Sequence, residues 1–319
     1  MSIKNNWAEE YPRPMLKRDS YYNLNGEWTL NNNTISVPFP PQSKLSQYSQ
    51  NVEDELHYHK TFTLPKDFYK DNDRVVLHFG AVDQTCKVYI NNQFLGSNEG
   101  GYLPFHFDIT DYLKEENEIV VEAIDTLTHD YPYGKQRKDR GGMWYTPVSG
   151  IWQSVWLEAV PYNHIESVKI TPTLFGVHLE VETNADEYTI TIPLKTKVFK
   201  ETYATKSIDI AFDTEDIELW SPENPYLYHF SIDTDNDHVE SYFALREIKI
   251  EGKNLYLNNK KIFLHGVLDQ GYYQDGIFLP ESPKEFEKDV LRMKELGLNF
   301  LRKHIKIEPA IWYYLCDTL

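Results

Sequence analysis

The chain has 319 residues, 41 % hydrophobic and 25 % charged, a globular balance with enough apolar content for more than one core. Its net charge is −17 with no cluster of Lys and Arg, so a phosphate-binding surface is excluded and neither nucleic acid nor an anionic membrane is an expected partner. Cys86 and Cys316 are the two cysteines, which is neither a disulfide framework nor a metal spacing. No apolar run approaches the roughly 20 residues of a membrane span. With no apolar stretch in Met1–Pro14 either, a signal peptide is not expected, and the expected setting is a reduced cytoplasm.

From about residue 20 to 160 the sequence reads as short strands, among them Lys60–Leu64, Arg74–Phe79, Lys87–Ile90, Glu118–Ile124 and Ser154–Glu158. Alternate side chains in Val88-Tyr89-Ile90 and in Val120–Ile124 suit one buried face. Asn91-Asn92, Gly96, Gly100-Gly101 and Gly141-Gly142 supply turn chemistry between strands. Helical periodicity is absent, and many short antiparallel strands imply a sandwich or jelly roll. Trp152 and Trp156 alternate, so they are expected to share one face of a strand and to pack in the core. A second strand-rich block, about 161 to 247, includes Val168–Thr171, Val177–Thr183, Tyr188–Leu194, Ser207–Phe212, Tyr226–Ile232 and Val239–Phe243. That density fits an immunoglobulin-like sandwich in architecture, without the antibody cysteine pair.

The pattern changes near Arg246. Lys261–Val267 reads as an apolar strand. Ser282-Pro283-Lys284-Glu285 then opens a helix, with Ser282 as cap, Pro283 in the first turn and Glu285 closing a capping box. Phe286, Val290, Met293 and Leu296 follow at helical spacing until Gly297. Leu298–Arg302 reads as a second strand, and Pro309 starts a helix carrying Ile311, Trp312, Leu315 and Cys316. Strand–helix–strand–helix means parallel βα units. A (β/α)₈ barrel needs roughly 250 residues. The block from 248 to 319 is therefore expected to be the first two units of an incomplete barrel, weakly held, after a sandwich over 1–160 and another over 161–247.

Six stretches carry a resemblance to a known family: Leu56–Phe62, His78–Asp83 with Val88–Asn91, Gly100–Thr110, Gly150–Glu158, Leu219–Tyr228, and Asn299–His304 with Trp312–Asp317. In this order they resemble the N-terminal part of glycoside hydrolase family 2, of the β-galactosidase kind. The resemblance implies a jelly-roll-like sugar-binding domain, an immunoglobulin-like domain and the start of a catalytic barrel. It implies a retaining exo-β-glycosidase for terminal β-galactoside-type residues, and a β-linked oligosaccharide or glycoside as partner. No organic cofactor is implied. A divalent or monovalent metal ion is left open, and so is a homo-oligomer.

The same resemblance singles out site residues. Arg302 sits at the C-terminal end of the second barrel strand, the face where barrel sites lie. The matching Arg of the family keeps the nucleophilic carboxylate ionised and aimed. Phe300 and Leu301 are expected to make its strand a buried one; the alternative is a surface salt-bridge Arg. His304 reads as a sugar contact or as loop packing, and the better-known relatives carry their His one residue later. Asp269 and Gln270 follow the first barrel strand and suit hydrogen bonds to sugar hydroxyls; the alternative is a turn-forming Asp before Gly271. Trp144, in Gly142-Met143-Trp144, is either a stacking platform or a buried structural Trp, and Lys135–Lys138 beside it reads as a solvated loop. No catalytic pair is assigned. Retaining enzymes need two carboxyl groups about 5 to 5.5 Å apart, both expected beyond Leu319, while Glu281, Glu285, Glu287 and Glu295 read as solvated. A non-catalytic carbohydrate-binding fragment and a β-glucuronidase or β-mannosidase type of hydrolase remain the alternatives.

Overall fold

The computed structural model describes residues 3–139 and 141–319. The protein is mainly β. Its first sandwich faces a six-stranded sheet, in the order Asn33–Val37, Gly26–Leu30, Glu55–Phe62, Asn117–Ile124, Thr85–Ile90 and Gln93–Glu99, against a four-stranded one. The latter runs Tyr22–Asn23, Val155–Val160, Arg74–Phe79 and Phe105–Asp108. The alternation seen in sequence builds the core between them. Leu56, Tyr58 and Phe62 point inward from one strand, and Ile119, Val121 and Ala123 from its antiparallel neighbour, with Tyr58 opposite Val121. Register is set by turn chemistry. Asn31-Asn32 and Asn91-Asn92 each close a two-residue hairpin with both residues at positive φ, a geometry asparagine tolerates.

The second sandwich pairs Ile165–Pro172, Gly176–Thr183 and Ser207–Ala211 in one sheet. The other holds Val198–Tyr203, Tyr188–Pro193, Tyr228–Asp233 and His238–Phe243. Leu179, Val181, Ile190, Ile232 and Phe243 fill the space between them.

A buried ionic staple joins the two sandwiches. Arg18 forks onto Asp237 (3.0 and 2.8 Å) and donates to the Ile165 carbonyl, while its other nitrogen lies 3.4 Å from Glu158 on the first sandwich. Glu158 also accepts from Arg13, Tyr11 and the Trp156 indole. Burial opposes ionisation of Glu158, yet Arg13 and these donors hold its carboxyl below the usual range. Trp156 stacks on His78 at 4.9 Å, and burial pushes that imidazole down to about 3, so the stack is between neutral rings.

The two tryptophans do not share a face, contrary to the sequence expectation. Trp156 lies in Val155–Val160, but Trp152 precedes that strand and turns the other way, onto Phe278 (4.9 Å) and Tyr102. Alternation holds only inside a strand, and Gln153–Ser154 breaks it. Both rings are nonetheless buried.

The last block also departs from expectation. The apolar run Lys261–Val267 is not one strand. Lys260–Ile262 closes an antiparallel three-stranded sheet with Asn254–Leu257 and Ile248–Glu251, again through an Asn-Asn turn, Asn258-Asn259. The parallel strand is Gly266–Asp269, paired with Phe300–Lys303. Helix α1, Pro283–Glu295, lies between them, and α2, Ala310–Thr318, follows. Ser282 makes no side-chain cap, and Glu285 pairs with Lys288 instead of closing a capping box. The C-terminus of α1 does end as the sequence predicts. Gly297 has φ +78°, its N–H reaches Lys294 O, and Leu298 N–H reaches Met293 O.

The expectation of a weakly held block is corrected on one side. Phe278, Phe286, Ile311, Trp312 and Leu315 form one buried cluster with Trp7, Tyr102 and Trp152 of the first sandwich region and Tyr242 of the second. The other side is bare: Phe263 is 80 % exposed and Phe300 38 %. Hydrogen exchange on the intact chain should therefore be slow in α2 and fast in 260–270; equal protection across both would refute this split. Arg18→Met should lower the free energy of unfolding by about 3–5 kcal/mol in urea titration, because Asp237 would stay buried without its partner.

Candidate active site at the ends of the parallel strands

Parallel pairing places the two candidate segments side by side. Gly266 is opposite Phe300 and Asp269 opposite Lys303, so Asp269-Gln270 and Arg302–His304 leave the sheet at the same end. Gly266 permits this approach, since a Cβ there would lie 2.0 Å from the Phe300 carbonyl oxygen. The His304 N–H donates to the Asp269 carbonyl (2.9 Å) and ties the two ends together.

The pleat then sorts the side chains. Leu301 packs toward the helices and Lys303 lies over Trp312 at 4.3 Å, so these two face α2. Phe300 and Arg302 take the opposite face. Arg302 is exposed there and makes no ion pair or side-chain hydrogen bond among the described residues. The expected buried strand is not what the structure shows, because the face bearing Phe300 and Arg302 is exposed. Asp269 shares the face of Lys303, not that of Arg302. Its Oδ1 accepts from Gly271 N–H (2.9 Å) and its Oδ2 from Lys303 Nζ (2.6 Å). Asp269 thus forms the turn before Gly271 and an ion pair, while Gln270 beside it is exposed.

The first sandwich reaches this end through the loop before Val148. Tyr145 stacks on Tyr272 at 4.8 Å and lies 6.3 Å from the His304 ring. Trp144 is half-buried, neither free on both faces nor a core residue, because the Arg137 guanidinium covers one face at 4.0 Å. The adjoining stretch is not simply solvated. Gln136 is buried, and its side-chain oxygen accepts from Val148 N–H. Ile305, beside His304, has φ +58°, a costly conformation for a β-branched residue and one that re-aims the chain after the strand.

Sequence reasoning missed the charged cluster behind this end. Lys303 lies 2.6 Å from Asp269 and 2.8 Å from Glu308, and Lys306 lies 3.0 Å from the same Glu308 oxygen. Both lysines are within ion-pair distance of Glu308 Oε1 but off hydrogen-bond alignment, and Glu308 Oε2 has no partner. Two ammonium groups and two carboxylates make the cluster neutral. Burial, partly offset by Glu308, brings the Lys306 ammonium down to about 8. The available signal was Lys306 and Glu308 alternating with Ile305 and Ile307 just before a helix, which reads equally well as a solvated strand end. Among the described residues no group of three or more His, Cys, Asp or Glu is placed to hold a metal ion.

Comparison with known proteins agrees with this layout. The signature described as "Glycosyl hydrolases family 2, sugar binding domain" matches residues 20–161, and "Glycosyl hydrolases family 2" matches residues 163–246. The chain belongs to glycoside hydrolase family 2. The β-galactosidase large subunit of Leuconostoc lactis is 28 % identical over 279 residues, which cover 82 % of this chain and 43 % of that protein. A putative β-glucuronidase of Formosa agariphila is 28 % identical over 276 residues, covering 78 % of this chain and 32 % of that protein. The family 2 chain thus spans less than half the length of these curated relatives. Among solved structures, the β-glucuronidase of Faecalibacterium prausnitzii superposes with a TM-score of 0.81 at 22 % identity, over 97 % of this chain and 60 % of that one. A putative β-galactosidase of Bacteroides fragilis gives 0.74 at 21 % identity, over 94 % and 52 %. At these identities the superpositions speak for the fold.

The two oxygens of Asp269 can be separated experimentally. Asp269→Asn keeps the turn acceptor and loses the charge; Asp269→Ala loses both. Chemical denaturation should show the larger loss for Ala, about 1–3 kcal/mol. Equal stability of the two variants would mean that the turn bond contributes nothing.

Proposed function

We propose that this chain is the N-terminal portion of a retaining exo-β-glycosidase acting on terminal β-galactoside-type residues. Residues 1–160 and 161–247 are its two sandwiches, and 248–319 start its catalytic barrel. The observation that carries the reading is the meeting of Arg302, Gln270 and His304 at one end of two parallel strands, with Tyr145 of the first sandwich beside them. Arg302 lies on the strand face turned away from the helices, the side where a barrel would place its interior. Gln270 and His304 offer donors and acceptors for sugar hydroxyls, and Trp144, covered on one face by Arg137, is next in sequence to the Tyr145 that adjoins His304. Asp269 acts from behind, through the turn and Lys303.

The carboxylate pair of this chemistry comes from later barrel strands of a longer protein, with Arg302 keeping the nucleophile ionised. The β-glucuronidase named among the relatives favours one second reading, a glucuronide-specific hydrolase of the same reaction type.

The 319-residue chain alone should not turn over nitrophenyl β-glycosides; hydrolysis by contaminant-free protein would overturn the assignment of the carboxylates. In a longer enzyme carrying this chain, Arg302→Ala should lower kcat by about 10², or about 2.7 kcal/mol. A near-wild-type kcat would make Arg302 peripheral. Gln270→Ala should change the relative rates on galactoside, glucoside and glucuronide, and unchanged ratios would remove it from sugar recognition.

A further inference from the structure

Lys306 has a fully buried side chain whose ammonium meets three oxygens. It donates to the carbonyls of Gly271 (2.5 Å) and Phe278 (2.6 Å), and it lies 3.0 Å from Glu308 Oε1. Those two carbonyls flank residues 272–277 in the segment between the first parallel strand and α1. Between them Tyr273 and Ile277 exchange backbone hydrogen bonds of 2.8 and 3.0 Å, so the segment is a closed loop. One charge therefore ties its base together. Gly271 is fitted to that charge. Its φ is +62°, and a Cβ there would stand 2.2 Å from Glu308 Oε1 and 3.1 Å from Lys306 Nζ.

The loop carries groups that face the strand ends. Tyr272, its first side chain, stacks on Tyr145 and meets Phe278 edge-on at 5.3 Å. Gln270 immediately precedes it, and Tyr145 leads on to His304. An ammonium supplies three N–H donors, a neutral amine two and a thioether none.

We propose that Lys306 is a positioning residue: by bracing both ends of the Gly271–Phe278 loop, it fixes Tyr272 and Gln270 relative to His304 and Arg302. The role assigned to the brace rests on reading these strand ends as the glycoside site. Glu308, Lys303 and Asp269 are the charged neighbours of Lys306, and Tyr313 and Cys316 of α2 together with Tyr273 in turn adjoin that same cluster. Burial pushes the Tyr313, Cys316 and Tyr273 groups up, whereas it brings the Lys306 ammonium down to about 8. Between pH 8 and the ordinary lysine value of 10.5 the unfolded chain holds this proton and the folded one does not. Global stability therefore gains from this group as pH rises through that window.

The test is hydrogen exchange on the 319-residue chain at pH 7, corrected for intrinsic rates. Amides 272–278 of Lys306→Met should exchange about tenfold faster than those of the wild type, the equivalent of one hydrogen bond, while α2 and the sandwiches keep wild-type protection. Wild-type protection of the loop in Lys306→Met overturns the brace. Should that variant lose protection throughout, Gly271→Ala decides: a loop that it leaves unaffected also overturns the brace. A second arm uses a longer enzyme and a nitrophenyl β-glycoside. Lys306→Met should raise KM about tenfold with kcat little changed, because a displaced contact loop weakens binding before chemistry. An unchanged KM removes the positioning role. Absence of turnover by the wild-type longer enzyme overturns the glycoside reading and the purpose of the brace, while the exchange result still stands on its own.

Discussion

Trp152 sits where three parts of the chain meet. Its indole N–H donates to the Gly101 carbonyl (2.7 Å) inside the first sandwich region, and its ring packs on Phe278, just ahead of α1. Two βα units cannot bury both faces of a two-stranded parallel sheet by themselves. Here the helix side is covered because the edge of the first sandwich lends Trp7, Tyr102 and Trp152 to a common core. The candidate site depends on that contact. It places the loop bearing Tyr145 against Tyr272 and His304, and without it the strand ends would face no other part of the protein.

Buried charge holds the parts in register and does so in two different ways. The staple between the sandwiches is an Arg fork onto a carboxylate, with Tyr, Trp and a second Arg completing the carboxylate on the other side. Such a site holds its ions charged, since bidentate geometry and added donors offset the lost hydration. The cluster behind the strand ends relies on lysines, whose compact ammonium loses more hydration on burial. Lys306 is accordingly easier to deprotonate, and Glu308 keeps an oxygen with no partner. The first network joins the two sandwiches; the second, with its Lys306 ammonium brought down to about 8, lies under the candidate site.

Membership of glycoside hydrolase family 2 limits the chemistry but not the sugar. Relatives named as β-galactosidases and as a putative β-glucuronidase match the chain at 28 % identity. At the strand ends this chain presents Gln270 and His304, while the charge of Asp269 is turned onto Lys303.

The sequence by itself determined the local order of this protein. The strand reading placed Arg74–Phe79 to the residue, and Gly297 placed the end of α1, because strand-forming runs and left-handed caps are set by neighbours in the chain. Asn91-Asn92 likewise marked a hairpin, since consecutive positive φ values are cheap for asparagine. The six ordered stretches were enough to identify the family and to point to the segments at the strand ends. Tertiary structure decided everything that depends on which faces meet. It split Lys261–Val267 between an antiparallel and a parallel sheet, and it turned Trp152 away from Trp156. It sent Asp269 to the face of Lys303 and buried Lys306 under a loop. A parallel register, a shared core and a buried ion cluster join residues far apart in sequence, and no local pattern records which partner will neutralise a charge once water is gone.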